Sequence, residues 1–79
     1  MTVKVLYHGW VIEASYTPSE IKAITAISGK DILESSDEYV LESWVKIKKT
    51  GTYLMVITTD GTKHLFSDDC AVEFIKEGK

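Results

Sequence analysis

Two histidines and one cysteine are the first candidates in this 79-residue chain for acid–base, nucleophilic or metal chemistry near neutral pH. His8 and His64 could act as acid and base in RNA cleavage, but one is expected in a turn and the other within a strand. Cys70 has no second cysteine with which to form a disulfide or a CxxC metal motif. The sequence therefore predicts no enzyme, no metal site and no cofactor, and it predicts Cys70 as a small buried side chain.

Two further motifs are too incomplete to indicate catalysis. The stretch "ISGKD" (27–31) contains a Gly-Lys pair without the Walker spacing, and we interpret Gly29 as the end of a helix. A Ser-His-Asp triad is compatible with the residue order, but no serine lies in a nucleophile elbow.

Acidic residues are concentrated in one part of the chain, whose formal net charge is −3. The run within residues 31–42 consists of Asp31, Glu34, Asp37, Glu38 and Glu42. It fits either a solvated face or a negative patch that docks against a basic groove of another protein. The acidic balance argues against a general nucleic-acid binder. The rival interpretation is RNA binding, in which bases stack on Trp44 and Tyr53 between Lys46 and Lys48.

The elements that would position these residues begin with a hairpin over residues 3–16. A two-residue turn at His8-Gly9 would place Tyr7 opposite Trp10, and we expect both rings to pack in the hydrophobic core next to this turn. A helix is predicted over 18–28, because Thr17 can cap it and Glu20 completes a capping box.

A three-stranded antiparallel meander is predicted from residue 39 onward, with turns at Thr50-Gly51 and Asp60-Gly61. These turns would place Val56 between Val45 and Leu65 on one apolar face. The opposite face would carry Trp44, Tyr53, Met55, Ile57 and Phe66, bordered by Lys46, Lys48 and His64. Residues 67–77 could form either a helix or a final strand, the second resembling the end of small SH3-like and Sm-like barrels.

The fold class that follows is α+β: a single small domain over residues 1–79 with an N-terminal hairpin, one short helix and an antiparallel meander. Both faces of the meander are apolar, so both need cover. Either the chain closes over Trp44, Tyr53, Met55 and Phe66, or these residues form a partner-binding face, and a homodimer through this face is an alternative. We take them as the first binding site and the acidic run as the second. The longest apolar run, 53–57, is too short to cross a bilayer, so a cytoplasmic location is expected.

The first 22 residues resemble the start of the Dmd family of phage antitoxins. The matching elements are "VKV" (3–5), "GW" (9–10), Ser15 and "EI" (20–21) at similar spacing. The resemblance implies a phage-encoded inhibitor that binds a host toxin ribonuclease of the RnlA or LsoA kind and blocks its RNA-binding groove. We therefore expect a non-enzymatic antitoxin or counter-defence protein with a host protein as its partner, and the alternative is an SH3-like or Sm-like adaptor that binds RNA or protein.

Overall fold

The computed structural model describes residues 1–42 and 45–76, and most of them lie in strands. The strands, in chain order, are β1 (Thr2–Tyr7), β2 (Val11–Tyr16), β3 (Ile21–Ser28), β4 (Val40–Leu41), β5 (Thr52–Thr58), β6 (Lys63–Phe66) and β7 (Cys70–Ile75). A 3-10 turn, Pro18–Glu20, joins β2 to β3, and a short helix α1, Gly29–Glu34, follows β3. A small α+β domain is thus confirmed, although it consists mainly of β-structure.

The strands form two sheets, and the 3-10 turn connects β2 of the first sheet to β3 of the second. The three-stranded sheet has the order β2-β1-β7, so the last strand pairs with the first. The four-stranded sheet has the order β3-β5-β6-β4, in which β4 runs parallel to β6 and the other pairs are antiparallel. The strand alternative for the end of the chain is therefore correct over Cys70–Ile75, after a tight turn in which the Cys70 amide donates to the Ser67 carbonyl.

The N-terminal hairpin is confirmed, but its register differs from the predicted one. Tyr7 pairs with Val11 rather than with Trp10, and the ladder shifts again between Val5 and Leu6. Trp10 therefore lies in the loop and is 78% exposed, so its expected role in the core is wrong. Tyr7 is half-buried and packs against the core, as expected.

The predicted helix over 18–28 is wrong beyond its first turn. The capping box between Thr17 and Glu20 forms, but the helical turn ends at Glu20 and β3 begins at Ile21. Half of the eight residues of β3, "IKAITAIS", are β-branched, and such side chains favour strands. Pairing along almost the whole length of β5 adds stabilisation that an isolated short helix cannot provide.

The predicted meander is only partly present. The Asp60-Gly61 hairpin joins β5 to β6, whereas β5 pairs on its other side with β3 and not with residues 45–48. The 45–48 segment has no strand structure, yet Val45 and Ile47 still pack against the core. The Thr50-Gly51 turn therefore does not form a hairpin.

The Asp60-Gly61 hairpin has a three-residue loop, and this shifts β6 by one position from the predicted register. The Thr58 amide donates to the Thr62 carbonyl at 3.0 Å, and Gly61 has the positive φ of 89° that such a loop requires. Val56 consequently pairs with His64 instead of Leu65. A shift of one residue exchanges the two faces of a strand.

Two clusters of buried side chains result, one on each face of the four-stranded sheet. The first lies between the sheets and contains Val5, Val56, Phe66 and Cys70. The second lies beneath α1 and the side chains of Tyr39, Val45 and Ile47, and it contains Ile32, Tyr53, Met55 and Leu65. No helix within the described residues is long and apolar enough to cross a membrane.

Candidate protein-binding surface

The short helix α1 presents the first two acids of the run to solvent. Ser28 caps the helix, because its hydroxyl accepts a hydrogen bond from the Asp31 amide at 3.1 Å. Ile32 points into the second core cluster and anchors the helix to the sheet. Asp31 and Glu34 are consequently exposed, and Leu33, between them, is 59% exposed.

The next two acids lie in the connection between α1 and β4. The Ser35 hydroxyl accepts a hydrogen bond from the Asp37 amide at 2.9 Å and so shapes the turn. The Asp37 carboxylate forms an ion pair with the Lys63 ammonium at 2.5 Å, and this partner lowers the pKa of Asp37. The same ammonium lies 5.8 Å from the centre of the Tyr39 ring, which holds the connection against β6. Glu38 is exposed beside them.

An open groove of about 490 Å³ separates this connection from the β5–β6 loop. Its lining includes three carboxylates, those of Asp37, Glu38 and Asp60. Hydrogen bonds from the Thr58 hydroxyl and from the amide of Thr62 lower the pKa of Asp60 to about 2, so this carboxylate is ionised throughout the neutral range. The groove is therefore acidic, with Lys63 as the cation within its lining.

Strand β4 completes this part of the surface. The Glu42 amide donates to the Leu65 carbonyl at 2.9 Å, which fixes the strand to the edge of the sheet. Val40 is 44% exposed and Leu41 is 52% exposed. Glu42 is half-buried and its carboxylate lies 2.7 Å from His64 Nδ1, so this member of the acidic run contacts the protein itself.

Three side chains lie in the order of a catalytic acid–histidine–hydroxyl array, namely those of Glu42, His64 and Thr58. The Thr58 hydroxyl lies 3.4 Å from His64 Nε2, which is a long contact. The hydroxyl donates to Asp60 at 2.6 Å, and it has a single hydrogen to donate. Thr58 is also buried, so the hydroxyl is neither free to transfer its proton to His64 nor open to a substrate. This array is a structural network that holds the β5–β6 hairpin against β4.

The predicted aromatic face is not an exposed face in the structure. Tyr53 and Met55 lie in the second core cluster, and Phe66 is fully buried in the first because of the register shift in β6. The chain thus covers both sides of the sheet itself. Trp44 lies outside the described residues.

The lysines of the proposed RNA-binding stripe lie on a separate part of the molecule. Lys46 and Lys48 are exposed beside a groove of about 290 Å³ that Tyr53 helps to line. The Tyr53 hydroxyl donates to the Lys46 carbonyl at 2.9 Å and accepts from the Lys48 amide at 2.7 Å. Tyr53 therefore serves to anchor the 46–48 segment, and its ring is buried where a base would have to stack.

The exposed aliphatic side chains within residues 31–42 were not among the binding residues predicted from sequence. Leu33, Val40 and Leu41 fit an apolar periodicity and would ordinarily be assigned to the core. The Asp60 carboxylate in the lining of the acidic groove was not predicted either. The signal was present, because an aspartate that precedes glycine in a hairpin turn commonly accepts hydrogen bonds from nearby backbone amides. Within residues 1–42 and 45–76 no group of three or more metal-binding side chains comes together.

Comparison of the chain with protein-family models, with curated proteins and with solved structures finds no match.

Proposed function

We propose that this protein is a non-enzymatic inhibitor that binds a host protein directly through residues 31–42, which we call the acidic segment. The observation that carries the proposal is the composition of its exposed surface. Large aliphatic side chains, those of Leu33, Val40 and Leu41, are exposed along the same segment as four exposed carboxylates.

Such a surface has the composition of a protein interface. Interfaces bury a core of apolar side chains and surround it with a polar rim, and exposed aliphatic side chains beside carboxylates can supply both parts. Burial of a large aliphatic side chain contributes about 1.5–3 kcal/mol, so three half-exposed ones provide a useful part of a binding free energy. The carboxylates around them favour a basic partner surface and would increase the association rate with it.

The groove beside the acidic segment strengthens this electrostatic argument. Asp60 comes from a distant part of the chain, yet it lies in the same lining as Asp37 and Glu38. Because its pKa is near 2, its charge persists at every physiological pH. An arginine or lysine side chain of a partner is the group that this groove fits best.

The N-terminal resemblance to the Dmd antitoxins supports a more specific proposal. A phage-encoded antitoxin in the cytoplasm of its host would bind a toxin ribonuclease, and a ribonuclease presents a basic groove to its RNA substrate. The acidic segment offers the complementary charge to such a groove. On this proposal the inhibitor competes with RNA for the toxin.

An SH3-like or Sm-like adaptor is the second candidate function. It is favoured by the return of β7 to β1 after a tight turn, as in small barrels of that type, and by the exposed lysines at 46, 48 and 49. On this proposal the partner is RNA or a protein bound at the lysine-bearing side.

Affinity capture from bacterial lysate, with and without nuclease, distinguishes these proposals. The test variant combines Leu33→Ala with Glu34→Gln and Glu38→Gln. A matched control, Ile12→Ala with Asp68→Asn and Glu73→Gln, removes the same charge and one exposed aliphatic side chain elsewhere on the surface.

We expect the wild type and the control to retain one protein after nuclease treatment, and we expect the test variant to bind it at least about tenfold more weakly. Equal retention by the test and control variants would contradict the assignment of the interface. Capture that disappears with nuclease would favour the adaptor.

A further inference from the structure

Strand β3 lies at the end of the four-stranded sheet, so one of its edges has no strand beside it among the described residues. The Gly29 amide donates to the Gly51 carbonyl at 2.7 Å, at the end of the β3–β5 ladder. In an antiparallel ladder the residues that hydrogen-bond to the neighbouring strand alternate with those that do not. Ala23, Thr25 and Ile27 therefore bond to β5, whereas Ile24, Ala26 and Ser28 direct their amides and carbonyls toward the open edge.

This edge lacks the features that usually keep sheet edges from pairing, which are charge, proline, bulges and short length. From Ala23 to Ser28 the strand has no charged residue and no proline, and the irregularity in its ladder lies earlier, between Ile21 and Ala23. The other outer strand of this sheet, β4, has only two residues, so it offers little backbone for pairing with another strand.

The outer strands of the three-stranded sheet are better protected. The ladder of β2 is interrupted by its own register shift, and β7 carries Glu73. The 23–28 edge is thus the longest regular, uncharged edge in the described structure.

We propose that this edge pairs with the same edge of a second copy of this chain, antiparallel and with the two-fold axis at Thr25. In that register Ile24 and Ala26 of one copy exchange backbone hydrogen bonds with Ala26 and Ile24 of the other. The two four-stranded sheets then form one continuous sheet, and Thr25 lies opposite its own counterpart.

Side-chain complementarity is the reason to choose a second copy as the partner. Each isoleucine meets an alanine, Ile24 against Ala26 on the face of the first core and Ile27 against Ala23 on the face of the second. Large residues opposite small ones pack without overlap on both faces, and the Thr25 pair is a favourable cross-strand pair.

Charge is also compatible with this register. Lys22 lies opposite Ser28 rather than opposite the second Lys22, so no like charges face each other across the two-fold axis. Thr25 and Ala26, which are exposed in the single chain, would become covered.

Sedimentation velocity over a range of protein concentrations tests the proposal on the full chain. The wild type should dimerise, and Thr25→Lys and Thr25→Glu should each weaken the dimer about tenfold or more, because they place like charges opposite each other at the axis. An equimolar mixture of the two variants should restore dimerisation, since opposite charges then meet. Ala26→Pro should also yield a monomer with an unchanged far-ultraviolet spectrum, because its lost amide faces the open edge and not β5.

Three results would overturn the proposal. A wild type that stays monomeric at all concentrations would exclude the dimer, and variants that still dimerise would place the contact on another surface. Failure of the mixed variants to associate would show that Thr25 does not lie at the two-fold axis. The proposal involves residues other than the acidic segment, so it does not depend on the proposed function.

Discussion

Gly29 is the residue at which one added methyl group should damage the fold most severely. It begins α1, is buried, and lies against the 46–48 segment. A Cβ at this position would overlap the carbonyl oxygen of Lys48, and it would lie 2.7 Å from the carbonyl carbon and 3.3 Å from Tyr53 Cε2. The carbonyl belongs to the backbone, so Gly29→Ala requires one of the two chain segments to move by about 1.5 Å.

The cost can be estimated from the hydrogen bonds that such a movement disturbs. They are the Gly29 amide to the Gly51 carbonyl at 2.7 Å and the two bonds of the Tyr53 hydroxyl, at 2.7 and 2.9 Å. Each contributes about 0.5–1.5 kcal/mol, so we expect Gly29→Ala to reduce the free energy of unfolding by about 2–4 kcal/mol. A domain of this length has only about 4–12 kcal/mol of stability in total.

Urea and thermal unfolding measure this loss directly, and the expected fall in Tm is about 10–25 °C. Gly9→Ala is the matched control. A Cβ there meets nothing within 4 Å, although φ is +84°, so its cost is confined to backbone strain of about 1 kcal/mol. If Gly29→Ala is no more destabilising than Gly9→Ala, the close approach of the 46–48 segment to α1 is refuted.

Two further predictions concern titratable groups. The pKa of Asp60 lies below its ordinary value of 3.8, at about 2, because the Thr58 hydroxyl and the Thr62 amide bond to the carboxylate. The ionised carboxylate therefore stabilises the fold fully above about pH 4, and this stabilisation is lost as the pH falls through 2. In Asp60→Asn the free energy of unfolding should depend less on pH within that window. An unchanged pH dependence would contradict this prediction. Burial raises the pKa of the Cys70 thiol, which contacts Ser67. A thiol reagent at pH 8 should thus label native protein far more slowly than urea-unfolded protein, and equal rates would show that the thiol is accessible.

Local chemistry made several elements predictable from the sequence. The His8-Gly9 turn, the capping box at Thr17 and the Asp60-Gly61 hairpin all occur where the residue types indicate them. Each depends on contacts within a few residues, so no knowledge of the rest of the chain is needed. The solvated character of the acidic run was predictable from its residue types as well, and four of its five members are exposed.

Pairing over longer distances was not predictable in the same way. The stripe of Ile21, Ile24 and Ile27 satisfies a helical period, but the pairing of these residues with β5 makes them a strand. A single extra loop residue between β5 and β6 then decides whether Leu65 or Phe66 lies on the face of Met55. The shift removes Phe66 from the predicted aromatic face, whereas Tyr53 and Met55 keep their face and are covered by Ile32 of α1 and by side chains such as Val45 and Ile47.

Contact between the acidic segment and a protein partner can be located by amide hydrogen exchange, measured on the chain alone and on its complex with the captured partner. We expect new protection in peptides that cover residues 31–42, together with protection at the 60–63 side of the groove. Protection confined to other surfaces, with exchange at 31–42 unchanged on binding, would contradict it.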